Sequence, residues 1–177
     1  METSGALGMR TAIIAAIVAT LAFCAVGVSS PALAATANAS VSAAPIKPLV
    51  LTKVGDLDLG TITLGPGVWS NATVAISQAG ALTCNANVTC TGATQPAQYN
   101  VQGSNQQRVR ISAPNLTLTN QSDPSQTLTM IVSAPASVML TNSGFPGVNF
   151  SIGGSVSLNS TTSGGTYVGT FNVTVDY

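Results

Sequence analysis

The stretch GGTYVGTFNVTVDY (residues 164–177) closes the chain and indicates its fold class. Apolar side chains recur along it at every second position, and Thr, Asn and Asp fill most of the positions between them. Successive side chains of a β-strand point to opposite faces, so this spacing predicts a strand with one apolar and one polar face. Burial of one large apolar side chain is worth about 1.5 to 3 kcal/mol, so we expect this terminus to be packed. One face of the predicted strand carries Tyr167, Phe171, Val173, Val175 and Tyr177.

The same alternation recurs in many short segments along the chain. Stretches rich in Gly, Asn, Ser and Pro separate these segments. Short strands at regular spacing, with turn-forming residues between them, are typical of antiparallel sandwiches. We therefore predict an all-β fold, a single antiparallel β-sandwich of the immunoglobulin-like or pilin-like type. The other predicted strands are residues 57–64, 73–77, 99–103, 107–112, 116–119, 127–133, 137–140 and 155–159.

The N-terminus has the pattern of a secretory signal peptide. Arg10 precedes an apolar run at residues 11–28, and the small residues Ala32 and Ala34 follow. This pattern predicts cleavage between Ala34 and Ala35, with export to the periplasm and then to the cell surface or the exterior. An uncleaved membrane anchor is the alternative. The predicted organisation is a signal peptide at residues 1–34, an extended leader at residues 35–46 and a β-sandwich domain at residues 47–177.

The predicted leader alternates small apolar side chains with polar ones. It is too weakly hydrophobic to nucleate a strand by itself. Pro45 and Pro48 separate it from the domain, because proline cannot donate a ladder hydrogen bond. Two interpretations stay open: a disordered linker, or a detachable donor strand that pairs with a neighbouring molecule. The candidate donor residues are Ala37, Ala39, Val41 and Ala43.

Two cysteines remain once the predicted signal peptide is removed. Cleavage removes Cys24 and leaves Cys84 and Cys90, an even pair in a compartment where disulfides persist. We predict that they are bonded, which would stabilise the fold by about 2 to 3 kcal/mol for so short a loop. A zinc site needs more ligands than two thiols, and the sequence contains no His.

The chain carries very few charges. Charged residues make up 6% of the sequence, against about a quarter in an average globular protein. A nucleic-acid-binding surface needs clustered Lys and Arg, so the composition excludes nucleic acid as a partner. A neutral surface of Ser, Thr, Asn and Gln suits a subunit that packs against other copies outside the cell.

Catalysis has little support in the sequence. Without His, a Ser or Cys nucleophile would lack its usual base. Asp56 and Asp58 could share a metal ion, but two carboxylates make a weak site and a solvated strand edge explains them better. Arg108 and Arg110 fall on one face of a predicted strand, as an ordinary outward basic pair does. We predict no catalytic residues, no metal site and no cofactor.

Several segments of the chain resemble one family of small secreted bacterial domains, the domain of unknown function four-four-zero-two. The segments that carry the resemblance are PLVLTKVGDLDLGTI, TVAISQAG, YNVQG, QRVRISAP, LTLTN, LTMIVSA and IGGSVSLNSTTSGGTYVGTFNVTVDY. The most specific of them is the closing pattern G-x-Y-x-G-x-F-x-V-x-V-x-Y at residues 165–177. Membership in this family implies no particular activity.

The closing pattern is also similar to the last strand of pilins from chaperone and usher pathways. That resemblance implies that a periplasmic chaperone pairs with the final strand, and that the N-terminal extension of a neighbouring subunit later replaces the chaperone. It further implies an outer-membrane usher, and other copies or related subunits, as partners. The residues that this recognition would use are Tyr167, Gly169, Phe171, Val173, Val175 and Tyr177.

The main functional hypothesis is a non-enzymatic structural subunit of a bacterial surface fibre or pilus-like assembly, joined by β-strand donation. The alternative is a monomeric secreted or cell-surface binding module with a self-complete sandwich. A small outer-membrane barrel is a third hypothesis, but frequent prolines interrupt the long strands that it would need.

Overall fold

The structure is a computed structural model that describes residues 36–177. Within these residues the chain forms thirteen strands and no α-helix, and every strand pair is antiparallel. The predicted all-β antiparallel class is confirmed. The predicted signal peptide and its cleavage point between Ala34 and Ala35 lie outside the described residues. The strands are β1 (Val50–Gly55), β2 (Thr61–Leu64), β3 (Ala72–Ile76), β4 (Leu82–Cys84), β5 (Val88–Thr91), β6 (Ala97–Gln102), β7 (Arg108–Ser112), β8 (Leu116–Asn120), β9 (Thr127–Ser133), β10 (Ser137–Met139), β11 (Val148–Leu158), β12 (Tyr167–Val168) and β13 (Thr174–Asp176).

The described strands form sheets of eight, three and two strands. The long strand β11 joins the two parts of the largest sheet. Residues 148–152 of β11 pair with β6, and β6 pairs with β1. Residues 154–158 pair with β3, and residues 153–156 pair with β9. The three-stranded sheet has the order β10-β7-β13, and the two-stranded sheet consists of β2 and β5.

Two glycines lie where β11 passes from its first set of partners to its second. A Cβ atom on Gly153 would overlap the carbonyl oxygen of Ile76, and one on Gly154 would overlap the side chain of Met130. Glycine is needed here because neighbouring atoms approach too closely for any side chain. The sequence IGG is therefore an interior part of a strand, although its composition suggests a turn.

Two apolar clusters fill the interior between these layers. The first cluster lies between the β6–β11 part of the large sheet and the three-stranded sheet, and in it the rings of Tyr99 and Phe150 stack with centroids 5.6 Å apart. The second cluster lies between β3, β9 and the last half of β11 on one side and β2–β5 on the other. Two packed layers with an apolar interior make this a sandwich. The first cluster consists of Ala97, Tyr99, Val101, Val109, Ile111, Leu140, Phe150 and Ile152, and the second of Ala72, Val74, Val88, Met130, Val156 and Leu158.

The predicted strand at residues 57–64 is shorter in the structure. Only Thr61–Leu64 forms a strand, and Asp58 makes an isolated bridge to Gln95. Gly60 has a φ of 72°, in the left-handed region that glycine adopts without a steric cost. The phase of the alternation changes at this residue, so Leu57 and Leu59 on one side of it and Ile62 on the other all pack against the second cluster.

The predicted C-terminal strand is also divided. Residues 167–168 form β12, which pairs with β8 of the large sheet, whereas residues 174–176 form β13, which pairs with β7 of the three-stranded sheet. The chain crosses from one sheet to the other between them. Gly169 lies on this crossing, where a Cβ atom would come within 2.6 Å of Leu116 Cδ1 and 2.9 Å of Leu118 Cδ2. The prediction of one continuous strand at residues 165–177 is therefore wrong, and position 169 has no space for a side chain.

Candidate functional site

The first part of the described chain makes no strand. Residues 36–48 have no regular secondary structure and are exposed, and Val41 is 94% exposed. The four candidate donor residues, Ala37, Ala39, Val41 and Ala43, therefore lie on an exposed and unpaired segment. Residues 43–177 form one compact unit.

The end of this segment is fixed by the last residue of the chain. The Tyr177 hydroxyl donates a hydrogen bond to the Lys47 carbonyl oxygen and accepts one from the Ser104 backbone N–H at 2.9 Å. The Lys47 N–H in turn donates to Ser104 Oγ at 2.6 Å. Ser104 is 8% exposed, so these bonds are partly shielded from water. A terminal tyrosine thus ties the start of the domain to its end, and we call this arrangement the tyrosine tie.

A groove lies beside the tie. It has a volume of about 450 Å³, and residues 46–49 and 175–177 line it. Its apolar lining comes from Ile46, Pro48, Leu49 and Val175, and Leu49 and Val175 also pack against the first cluster. We call it the terminal groove. Because Leu49 and Val175 belong to both, the terminal groove reaches from the surface to the side of the first cluster.

Two residues of β13, Val175 and Asp176, line the terminal groove. Among residues 36–177, β13 pairs only with β7, and no other backbone hydrogen bond reaches it. Val175 is opposite Ile111, whose N–H donates to Ala136 on the far side of β7. Backbone groups of successive residues alternate between the two edges of a strand. The Val175 N–H and C=O therefore point away from β7, towards the open edge.

The C-terminal side chains do not all have the same environment. Phe171, Val173 and Val175 are half-buried and pack against the first cluster, as the alternation predicts. Tyr177 is 38% exposed and uses its hydroxyl in the tyrosine tie. Tyr167 is half-buried but belongs to neither cluster, and its hydroxyl donates to the Ser163 carbonyl oxygen at 2.8 Å. Tyr167 is thus separate from Phe171, Val173 and Val175, with which the alternation grouped it.

The predicted disulfide is present. Cys84 ends β4 and Cys90 lies in β5, and the two are bonded with their Cα atoms 6.4 Å apart. Both side chains pack against the second cluster. The bond therefore ties the edge of the large sheet to the opposite two-stranded sheet.

The charged residues serve separate local roles. Lys53 Nζ lies 2.8 Å from Asp56 Oδ1, and this hydrogen bond raises the pKa of the Lys53 ammonium above its usual value. Asp58 Oδ1 instead accepts a hydrogen bond from the Gly60 N–H at 2.8 Å. Within residues 36–177, no three His, Cys, Asp or Glu side chains come together in a way that could hold a metal ion.

The basic pair lies on the surface of β7. Arg108 and Arg110 are exposed, and Val109 and Ile111 between and after them are buried, as the alternation predicts. Arg108 Nη1 donates to Ser137 Oγ of the neighbouring strand β10 at 3.3 Å. No helix in the described part of the chain is long and apolar enough to cross a membrane.

The comparison with protein families gives one match. The model of the family described as "Domain of unknown function (DUF4402)" matches residues 49–177, which is more than half of the chain and contains all thirteen strands. Comparison with curated proteins and with solved structures finds no match.

Proposed function

The chain belongs to the DUF4402 family, and we propose that it is an exported, non-enzymatic structural subunit of a bacterial surface fibre or pilus-like assembly, joined to its neighbours by β-strand donation. The observation that carries the proposal is the unpaired outer edge of β13 beside the terminal groove. Open strand edges pair readily with another chain.

The edge and the groove together have the features of a strand-docking site. An incoming strand could exchange two hydrogen bonds with the N–H and C=O of Val175. Alternate side chains of that strand would then enter the groove and cover Leu49 and Val175. Backbone bonds would supply affinity, and the groove would select the side chains that fit.

The best-matched occupant is the leader of a second copy. Its candidate inward residues, Ala37, Ala39, Val41 and Ala43, are small and spaced by two, which suits a shallow groove. Residues 36–46 would span roughly 36 Å when extended, several times the length of the three-residue β13. The leader carries no charged side chain, so no side-chain charge opposes its docking.

This proposal includes the partners and the location that strand donation requires. The predicted signal peptide would export the chain to the periplasm, where a chaperone would cover the β13 edge until a neighbouring leader replaces it. An outer-membrane usher would then pass the assembled subunits to the cell surface. The disulfide favours an oxidising compartment of this kind.

A second candidate function has an observation in its favour. Both apolar clusters are filled by side chains of this chain, and no buried side-chain polar atom in the described residues lacks a hydrogen-bond partner. A sandwich that is complete in this way would suit a monomeric secreted or cell-surface binding module.

Molecular mass in solution separates the two candidates. We expect the mature chain, residues 35–177, to form dimers or longer polymers when measured by light scattering after size-exclusion chromatography. Deletion of residues 35–46 should leave only monomer, because the donor is gone. A mature chain that stays monomeric at all concentrations, with or without the leader, would favour the binding module.

A matched pair of leader variants tests the strand periodicity. Val41→Asp places a charge on the face predicted to enter the groove, whereas Ser40→Asp places the same charge on the opposite face. Strand donation predicts that Val41→Asp abolishes assembly and that Ser40→Asp preserves it. Equal effects of the two substitutions would contradict insertion of the leader as a strand.

A further inference from the structure

A second groove is lined by residues between 126 and 167, none of which lines the terminal groove. It has a volume of about 460 Å³, within the range of about 300 to 1,000 Å³ that is usual for small-ligand sites. No charged side chain lines it. Its polar lining includes Gln126, Thr127, Thr129, Ser157, Asn159 and Tyr167. We call it the polar groove.

The floor of the polar groove is the outer face of the large sheet. Thr127 and Thr129 of β9 flank Leu128, which packs against the second cluster. Ser157 of β11 likewise lies between two buried residues. Because side chains alternate between the two faces of a sheet, these three hydroxyl groups point away from the core and into the groove.

The loop at residues 159–166 forms the wall, and hydrogen bonds hold it in place. Asn159 Oδ1 accepts from the N–H and the hydroxyl of Thr161, at 3.0 and 2.8 Å. At the other end of the loop, the side chain of Asn120 donates to the Gly164 carbonyl oxygen at 3.0 Å. Asn120 is only 1% exposed. A wall fixed from both ends needs little reordering when a ligand binds.

A further contact braces the middle of the same wall. Ser160 exchanges two hydrogen bonds with the Trp69 backbone, one from its N–H at 3.1 Å and one to its hydroxyl oxygen at 3.3 Å. The Tyr167 ring lies at the groove, outside both apolar clusters, and its hydroxyl is held by the Ser163 carbonyl oxygen. An aromatic ring is thus kept at a groove that is otherwise lined mainly by hydroxyl and amide groups.

From this combination we propose that the polar groove binds a neutral saccharide. Sugar hydroxyls both donate and accept hydrogen bonds, as do the Ser, Thr, Asn and Gln side chains of the lining. An aromatic ring offers an apolar surface to the C–H face of a sugar ring. Without a charged group in the lining, the groove gains nothing from an acidic or basic ligand. The site is independent of strand donation, because it shares no residue with the terminal groove.

Binding of the mature chain, residues 35–177, to an array of neutral, sialylated and sulfated glycans tests the proposal. We expect retention of one or more neutral glycans and no preference for acidic ones. The affinity for the retained glycan is then measured by titration calorimetry. No retained neutral glycan, or retention that follows acidic charge, would overturn the proposal.

Substitutions locate the binding. Tyr167→Ala should weaken binding by about tenfold or more, whereas Tyr167→Phe keeps the ring and should lose less than about threefold. Thr129→Val removes a floor hydroxyl without a change of shape and provides a second variant if Tyr167→Ala does not fold. Tyr99→Phe, in the first cluster and in neither groove, is the matched control and should bind as the unsubstituted chain does. If neither Tyr167→Ala nor Thr129→Val changes the affinity, the glycan binds elsewhere. If Tyr167→Ala does not fold, an unchanged affinity in Thr129→Val gives the same conclusion.

Discussion

The two apolar clusters of the sandwich are closed in different ways. The second cluster is covered by β2–β5, and the Cys84–Cys90 bond ties this cover to the edge of the large sheet. The first cluster is covered by β10-β7-β13, whose last strand has three residues and belongs to the end of the chain. Pairing with β7, packing of Val173 and Val175, and the hydrogen bonds of Tyr177 hold that strand. Under the proposed strand donation, the neighbouring strand would pair at the sheet that covers the first cluster, because the outer edge of β13 is unpaired.

Truncation of a core side chain should change the free energy of unfolding more than any other change considered below. Leu140 is 1% exposed in the first cluster, so Leu140→Ala should lower the free energy of unfolding by about 2 to 5 kcal/mol. Urea unfolding followed by circular dichroism measures this loss. A cost below about 1 kcal/mol would mean that the first cluster is loosely packed.

Removal of the disulfide should have the next largest effect. The double substitution Cys84→Ser and Cys90→Ser should lower the free energy of unfolding by about 2 to 3 kcal/mol, because the unfolded chain gains conformational freedom. The size distribution of the mature chain should not change, since the bond lies at the second cluster. Loss of assembly in the folded double variant would contradict the division of roles between the clusters.

Weakening of the tyrosine tie should have a smaller effect on stability. Tyr177→Phe removes the hydroxyl that bonds to Lys47 and Ser104, at a cost of about 1 kcal/mol or somewhat more. It should also release the chain near Lys47, so limited proteolysis at this residue should become faster. Tyr167→Phe is the matched control, because it removes one tyrosine hydrogen bond elsewhere. Equal proteolysis of both variants near Lys47 would argue against the tie.

Alkaline pH should have the smallest effect on the free energy of unfolding. Burial raises the pKa of Tyr99 in the first cluster, whereas an unfolded tyrosine titrates near about pH 10. The folded state therefore resists ionisation, and the free energy of unfolding should fall as the pH rises from the unfolded pKa through that of the folded phenol. Urea titrations between about pH 8 and 11 measure this fall. It should be smaller in Tyr99→Phe, and an equal fall in both proteins would assign it to other groups.

The alternation in the sequence predicted which side chains face the core. It did not predict which strands pair with each other. Alternation located β7 and β9 because one side of each strand is buried. It could not show that residues 165–177 cross between sheets, since the alternation continues through the crossing. Gly153–Gly154 suggested a turn, and the first half of β11 was missed for that reason. The six-residue strand β1 and the shorter strands β4 and β5 were not among the predicted strands either.

Parts of the candidate sites depend on contacts between residues that are far apart in the sequence. The bond between Tyr177 and Lys47 joins residues 130 positions apart, and no local pattern indicates it. The polar groove combines β9, β11 and the loop at residues 159–166, which only the folded sheet brings together. The disulfide was predictable because the predicted signal peptide contains Cys24, and the two cysteines that remain allow a single pairing.

The most direct test of the central claim is the exchange rate of the Val175 amide hydrogen, measured by NMR on residues 47–177 with and without a peptide of residues 35–46. Strand donation predicts fast exchange in the free domain and strong protection when the peptide is added, with no protection by a peptide that carries Val41→Asp. An amide that is already protected in the free domain, or that exchanges equally fast with the peptide present, would contradict the account.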